Sequence, residues 1–312
     1  MPRMTDTLLD APRTAQCLPW PALVNEIEAL LTDASVSVPP RLVVPMDQGA
    51  YLFAMPGCDA RTAMTKLITF TPANAGTARP TIQGDVTVFD VATGQRRLIL
   101  DGPTVTARRT AAVSALAARQ LAPNLAGPML IVGAGVQGMA HVEVFAAALG
   151  VRRFLVASRS AASADALVQH ARGLGLQADA VPDADAVADD CPLIATCTPA
   201  SAVVLRALPR PDAFIAAVGA FTPQMVELAP ELCRHVAQYG RIVVDSRDAD
   251  HEAGDLLQAG LPVADFASLA DVVHGDLLGQ AGGQRSGPVL FKSCGWAGWD
   301  LAAARLAVRA AG

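Results

Sequence analysis

Residues 129–138 read MLIVGAGVQG: four apolar residues, then glycines at 133, 135 and 138 in the spacing G-x-G-x-x-G. A run with helical character, MAHVEVF, follows at once. Four further apolar runs come downstream, RFLVAS, LIATCT, AFIAAVG and RIVVDS, each separated from the next by a helical stretch. Parallel neighbours cannot be joined by a tight turn and need a long crossover, so this alternation predicts β-α-β units around a parallel sheet. Within such a unit each glycine has a role. Gly133 permits the tight turn, Gly135 lets a phosphate approach the backbone, and Gly138 lets helix and strand pack closely. Val136 and Gln137 lie between them, where a helix start offers unpaired N–H groups to an anion. A bare glycine motif is equally well a turn with no ligand. Placed after a strand and before a helix, it predicts dinucleotide binding.

The second strand of such a unit commonly ends in Asp or Glu, which binds the ribose 2′-OH of NAD. Here the strand ends FLVASRS, placing Ser158, Arg159 and Ser160 where the acid would stand. A guanidinium and two hydroxyls suit a 2′-phosphate, so the expected cofactor is NADPH, with NADH also possible. The strand LIATCT brings Thr196, Cys197 and Thr198 to the carboxyl edge of the sheet, where they are placed to line the nicotinamide or are equally well ordinary strand-end residues.

Composition narrows the remaining classes. The chain has 312 residues, 52% hydrophobic and 17% charged, with a net charge of −5. A large core is expected, and no electrostatic attraction to nucleic acid or to an anionic membrane. No apolar run reaches the length of a membrane span, and the first residues, MPRMTDTLLDAPRTA, lack the apolar centre of a signal peptide. A soluble, cytoplasmic protein is expected. The six cysteines form no C-x-x-C and no metal-ligand spacing accompanies them, which predicts free thiols and no metal site. His141 lies in the helix after the glycines, so packing or surface exposure is its expected role rather than catalysis.

From 41 to 101 the texture is different. RLVVP, AYLFAMP, TAMTKLITFTP, DVTVFD and RRLILD are short β-rich runs, and DVATGQ offers Gly94 for a turn with positive φ. Before them, PWPALVNEIEALLTDA has helical spacing, with Pro21 suited to a first turn. After them, residues 103–122 are alanine-rich without internal glycine or proline, and the tail WAGWDLAAARLAVRAAG is again helical.

In order along the chain stand TKLITFTPANAGTARPTIQGDVTVFDVATGQ, LDGPTVTARRTAAVSALAA, VGAGVQG, ATCTPAS, VGAFTP and FKSCGWAGWD. Together these motifs resemble the ornithine cyclodeaminase/μ-crystallin family over nearly the whole chain. The resemblance implies a Rossmann-type doubly wound parallel sheet domain, 119–288, inserted in a mixed α/β dimerisation domain, 1–118 plus 289–312, and therefore a homodimer. It implies that Arg41, Lys66 and Arg109 bind a substrate carboxylate, with Lys66 also at the catalytic centre. Bidentate arginine suits such a group, and a cation inside an apolar run needs an anion, which the substrate can supply. A set of surface ion pairs is the alternative for these three residues.

The departures bear on the reaction. Members that cyclise ornithine carry an aspartate after VGG and a glutamate in the strand before the lysine. This chain has Phe221 in VGAFTP, and YLFAMPG holds no acid. A distal ammonium against Phe221 would be desolvated without a partner. Phe221 and Thr222 instead suit an apolar ring, although Phe221 is equally well core. The resemblance then points to ketimine reductases, which act on a small cyclic imino acid: Δ1-pyrroline-2-carboxylate or Δ1-piperideine-2-carboxylate, reduced to L-proline or L-pipecolate. An alanine dehydrogenase-like enzyme, an ornithine cyclodeaminase and a non-catalytic μ-crystallin-like ligand carrier stay open.

Overall fold

A computed structural model describes residues 7–74, 77, 79–199, 201–276 and 287–311. The chain divides into two compact units, Met1–Arg109 with Trp296–Gly312, and Thr110–Gly295.

The first unit is built on six strands: β1 (Leu8–Leu9), β2 (Leu42–Pro45), β3 (Tyr51–Cys58), β4 (Thr62–Phe70), β5 (Ile82–Asp90) and β6 (Arg96–Asp101). Their order is β1-β6-β5-β4-β3-β2. Strands β2 to β6 form an antiparallel meander, and β1 pairs parallel with β6. All five β-rich runs read from the sequence are strands, and Gly94 takes φ +69° between β5 and β6. Alternate residues face inward, as a pleated sheet with one buried face requires. Met55, Lys66, Val86 and Leu100 are cross-strand neighbours in one row of that face, and all four are buried. Lys66 is therefore a lysine set among apolar side chains.

Helices α1 (Ala11–Gln16) and α2 (Trp20–Leu31) precede the meander. Pro21 sits in the first turn of α2, and Leu23, Val24, Ile27 and Leu30 bury one stripe. The C-terminal helix Ala297–Ala311 packs on β3, β4 and β5 and on α2. A buried ion-pair network reinforces that packing. Arg305 on the C-terminal helix pairs with Glu26 at 2.7 Å, Asp33 at 2.9 Å and Asp59 at 3.3 Å, and Asp59 also accepts the N–H groups of Arg61 and Thr62.

Helix α3 (Gly102–Leu121) follows β6, and the division between the units falls within it. The second unit continues with β7 (Met129–Val132), α4 (Val136–Leu149), β8 (Arg153–Ala157), α5 (Ala161–Gly173), β9 (Gln177–Val181) and β10 (Leu193–Thr196). It then runs through β11 (Ser201–Leu205), β12 (Phe214–Ala217), β13 (Val226–Leu228), α6 (Pro230–Tyr239) and β14 (Arg241–Val244). Helices α7 (Ala249–Glu252) and α8 (Gly254–Gln258), strand β15 (Ala267–Ser268), α9 (Leu269–His274) and β16 (Val289–Lys292) complete it.

Eight strands form one parallel sheet in the order β15-β14-β16-β12-β10-β7-β8-β9. Strands β9-β8-β7-β10-β12 reproduce the doubly wound order, with the chain reversing direction of winding between β7 and β10. The mixed α/β architecture with a Rossmann-like sheet is as expected. Strands β11 and β13 pair as a separate two-stranded element.

The observed division differs from the expected one at both ends. The sequence put the return to the first unit at 289, but β16 lies between β12 and β14, buried along its whole length. The return comes after it, at Trp296. A run such as PVLFK carries no periodicity to say which sheet it joins. Strand β9 also went unread, because QADAV is short, polar and half exposed at the sheet edge.

Candidate active site: a cation cluster and a glycine cradle

In the first unit, the structure brings together the basic residues singled out from the sequence. Lys66 projects from the inner face of β4 and is fully buried. Its Nζ donates to Asp300 Oδ1 at 3.0 Å and lies 2.8 Å from Oδ2. Arg109, on α3 and buried, places Nε 3.3 Å from Asp300 Oδ1. Arg41 is half-buried, with its guanidinium 5.6 Å from the centre of the Phe53 ring. Asp300 itself is wholly buried in the first turn of the C-terminal helix.

Asp300 was not read from the sequence as a site residue. It is the anionic partner that the apolar surroundings of Lys66 demanded, so within the protein that role falls to a carboxylate 234 residues away. Lys66 and Arg109 share this one carboxylate. Burial draws the pKa of Lys66 down to about 8; Asp300 opposes this, while Arg109 and Arg41 push it lower. Among the described residues, Arg109 has no hydrogen-bond partner at Nε, and its only ion pair runs through that atom. The terminal nitrogens of its guanidinium fork are thus left for another acceptor. The buried hydroxyl of Thr106, one helical turn earlier, also lacks a partner among the described residues. A buried cation pair with unfilled hydrogen-bonding capacity has the chemistry to take a small anion.

In the second unit, the glycine motif behaves as its spacing requires. Gly133 has φ +109°, and a Cβ there would lie 2.8 Å from Thr198 Cγ2 and 2.9 Å from the Cys197 carbonyl oxygen. A Cβ on Gly138 would overlap the carbonyl oxygen of Gly133. A Cβ on Gly135 would meet nothing within 4 Å, so open space stands over the N-terminus of α4, where Gly135 is a cap without a side-chain bond. Val136 is exposed and Gln137 half-buried in the first turn. This open cradle at a helix start fits a dinucleotide pyrophosphate.

The flanking strand ends adjoin the same turn. Gly133 N–H donates to Ala157 O at 2.8 Å, which sets the end of β8 beside it. Ser158 is half-buried and Arg159 is exposed without an ion pair among the described residues. Ser160 caps α5 by accepting the N–H of Ser163. On the other side, Thr196 and Cys197 are buried, and Thr198 alone of the three is partly exposed. The Cys197 thiol lies 3.7 Å from Nδ1 of His141, which donates to the Gln137 carbonyl at 2.8 Å, while Nε2 meets Ser114 Oγ at 2.9 Å. Burial lowers His141 to about 4 and raises Cys197, so a neutral imidazole faces a neutral thiol. No thiolate is available for nucleophilic chemistry there. Phe221 is partly buried against the apolar core of this unit, and Thr222 is half-buried next to it. All six cysteines are free, and no metal-ligand group occurs among the described residues. No helix among them is long and apolar enough to cross a membrane.

The model of the ornithine cyclodeaminase/mu-crystallin family matches residues 13–311. This chain belongs to that family. It is 39% identical over 309 residues to the Delta(1)-pyrroline-2-carboxylate/Delta(1)-piperideine-2-carboxylate reductase of Azospirillum brasilense, covering 96% of this chain and 94% of the relative. In fold, it is similar to the Delta(1)-pyrroline-2-carboxylate reductase of Thermococcus litoralis, solved in complex with NADH and L-proline. The TM-score is 0.88 at 22% identity, over 97% of this chain and 96% of the other. An archaeal alanine dehydrogenase dimer with bound NAD has a TM-score of 0.86 at 22% identity, over 97% and 95%. These two likenesses show the family fold across both units.

Proposed function

We propose that this family member is an NAD(P)H-dependent reductase of cyclic ketimine carboxylates. Its substrates are Δ1-pyrroline-2-carboxylate and Δ1-piperideine-2-carboxylate, and its products L-proline and L-pipecolate. The observation that carries this reading is that Lys66 and Arg109, both buried, share the single carboxylate of Asp300, which leaves positive charge for a substrate anion. A relative 39% identical over nearly the full chain, bearing the name of a reductase of both imines, supports the same substrate class.

Arg109 takes the substrate carboxylate on its free fork, and Lys66 and Arg41 add charge, so the acid end of the imine is fixed and its ring oriented. Asp300 keeps Lys66 and Arg109 in place and holds Lys66 largely protonated at neutral pH. Gly133, Gly135 and Gly138, with Val136 and Gln137, hold the nucleotide pyrophosphate at the start of α4. When bound, the nucleotide supplies a hydride for the C=N carbon. Ser158, Arg159 and Ser160 favour the 2′-phosphate of NADPH over NADH, since an exposed guanidinium stands where an acid would repel phosphate. With Phe221 in the place of an acid, no carboxylate stands at that position for the distal amine of ornithine. The active species is a homodimer.

Nucleotide oxidation by the purified protein tests this. We expect turnover with both imines, a higher kcat/KM with NADPH than with NADH, and none with ornithine. Turnover with pyruvate and ammonia but not with the imines would replace the reading with an amino-acid dehydrogenase. Tight nucleotide binding without any turnover would replace it with a ligand carrier.

A further inference from the structure

We propose that Glu227 is a positioning residue for the nucleotide site, a single buried carboxylate that holds two strand-end loops in fixed relation. The inference rests on the nucleotide reading above and adds to it a residue that lies on neither loop. Glu227 belongs to β13, outside the eight-stranded sheet, and is fully buried. Its Oε1 accepts the N–H of Thr198 at 2.7 Å and the hydroxyl of Thr198 at 3.0 Å. Its Oε2 accepts the N–H of Gly219 at 2.7 Å and of Ala220 at 3.2 Å. One oxygen thus serves the loop after β10 and the other serves the loop after β12.

The carboxylate is itself held from behind. Asp255 Oδ1 accepts the backbone N–H groups of Glu227 at 2.6 Å and Leu228 at 2.9 Å. Asp255 Oδ2 pairs with Lys292 at 2.7 Å, and Lys292 donates to the Ala220 carbonyl at 2.6 Å. Ala220 is therefore held at its N–H by Glu227 and at its C=O by Lys292, so the peptide groups on both sides of its Cα are fixed. No side chain separates the two loops: a Cβ on Gly219 would overlap the backbone of Thr198 and come within 2.6 Å of Glu227 Oε1. Thr198 in turn abuts the Gly133 turn. Glu227 thus reaches the glycine cradle through a single residue, Thr198. Three strands, β7, β10 and β12, end here at the carboxyl edge of a parallel sheet, where nucleotides bind. An apolar side chain would serve stability more cheaply than a buried charge; a carboxylate with four donors from two loops serves geometry.

Glu227→Gln tests the proposal. An amide has one acceptor oxygen, so in either orientation its NH2 group faces the N–H donors of one loop. In hydrogen–deuterium exchange of the nucleotide-free protein, segments 193–199 and 214–222 should exchange about tenfold faster, with the rest of the second unit unchanged. The Kd for NADH, from titration of its fluorescence, should rise about tenfold while the imine KM stays within about twofold. Glu227→Asp, which keeps the charge on a shorter stem, should shift exchange and Kd in the same direction and is the deciding variant if Glu227→Gln does not fold. Wild-type exchange in those segments, or faster exchange with an unchanged NADH Kd, would overturn the proposal. So would failure of both variants to fold, which would make Glu227 a stability residue. A wild-type protein that binds no nucleotide would instead overturn the functional reading, before any variant is made.

Discussion

Lys66 and Lys292 are both completely buried, both stand in strands otherwise apolar on that face, and each pairs with an aspartate, at 2.8 Å and 2.7 Å. Their electrostatic settings are opposite. Burial dominates at Lys66, and with two guanidinium groups nearby its pKa falls to about 8 despite Asp300. At Lys292 burial also works against the charge, yet Asp255, Cys294 and Glu227 together hold the pKa raised. The first lysine sits in a cluster with cations in excess, and the second in one supplied with carboxylates. A buried lysine is thus a binding group where its neighbours leave positive charge over, and a structural one where they neutralise it.

The sharpest way to break this contrast is to remove each ammonium in turn. Lys292→Met leaves Asp255 and Glu227 buried without their counter-charge and should cost about 3–5 kcal/mol in urea unfolding. Lys66→Met should cost less, because Arg109 still faces Asp300. Equal losses would erase the distinction. The imine side of the reaction should respond to Lys66. Lys66→Met is expected to lower kcat/KM for both imines about ten- to a hundredfold, the value of one charge-assisted contact of about 1.5–3 kcal/mol, while NADH binding is unchanged. Retained kcat/KM would remove Lys66 from the site.

A smaller effect concerns the exposed cation of the second unit. Arg159→Ala should reduce the preference for NADPH over NADH, as a ratio of kcat/KM values, about tenfold, through loss of one phosphate contact. An unchanged ratio would mean that Arg159 points into solvent.

The smallest expected effect is on pH dependence. The charge of Lys66 is present below its pKa and lost as pH rises through about 8, so kcat/KM should fall on the alkaline side of that value. A bound carboxylate favours the charged ammonium, so the same limb in kcat should lie at higher pH. Asp300→Asn removes the group that holds the Lys66 pKa up and should move the kcat/KM limb to lower pH. A limb that stays in place would separate Asp300 from the titration of Lys66.

Lys66 and Arg109 were singled out through the family resemblance, and each also interrupts a pattern, a cation within period-two alternation and an arginine in an alanine-rich helix; the glycine turn was legible from its place between strand and helix. By the same rule Lys292 in VLFKS and Glu227 in VEL were visible as anomalies. The rule names the buried charge but not what answers it. Thr196 and Cys197 show the limit of position alone, since the strand end was read from the sequence while the burial of their side chains is visible only in the fold.

Local pattern in the chain was enough to indicate the parallel sheet, the β-rich runs of the first unit and the glycine turn, because hydrophobic period and turn chemistry act over a few residues. Only the folded chain decided that Asp300 answers Lys66, that β16 belongs between β12 and β14, and that Glu227, Asp255 and Lys292 lock two loops. The physical reason is range. A buried charge is stabilised by whichever groups folding brings within a few ångströms, and those groups come from remote segments whose meeting leaves no mark on the sequence around either one.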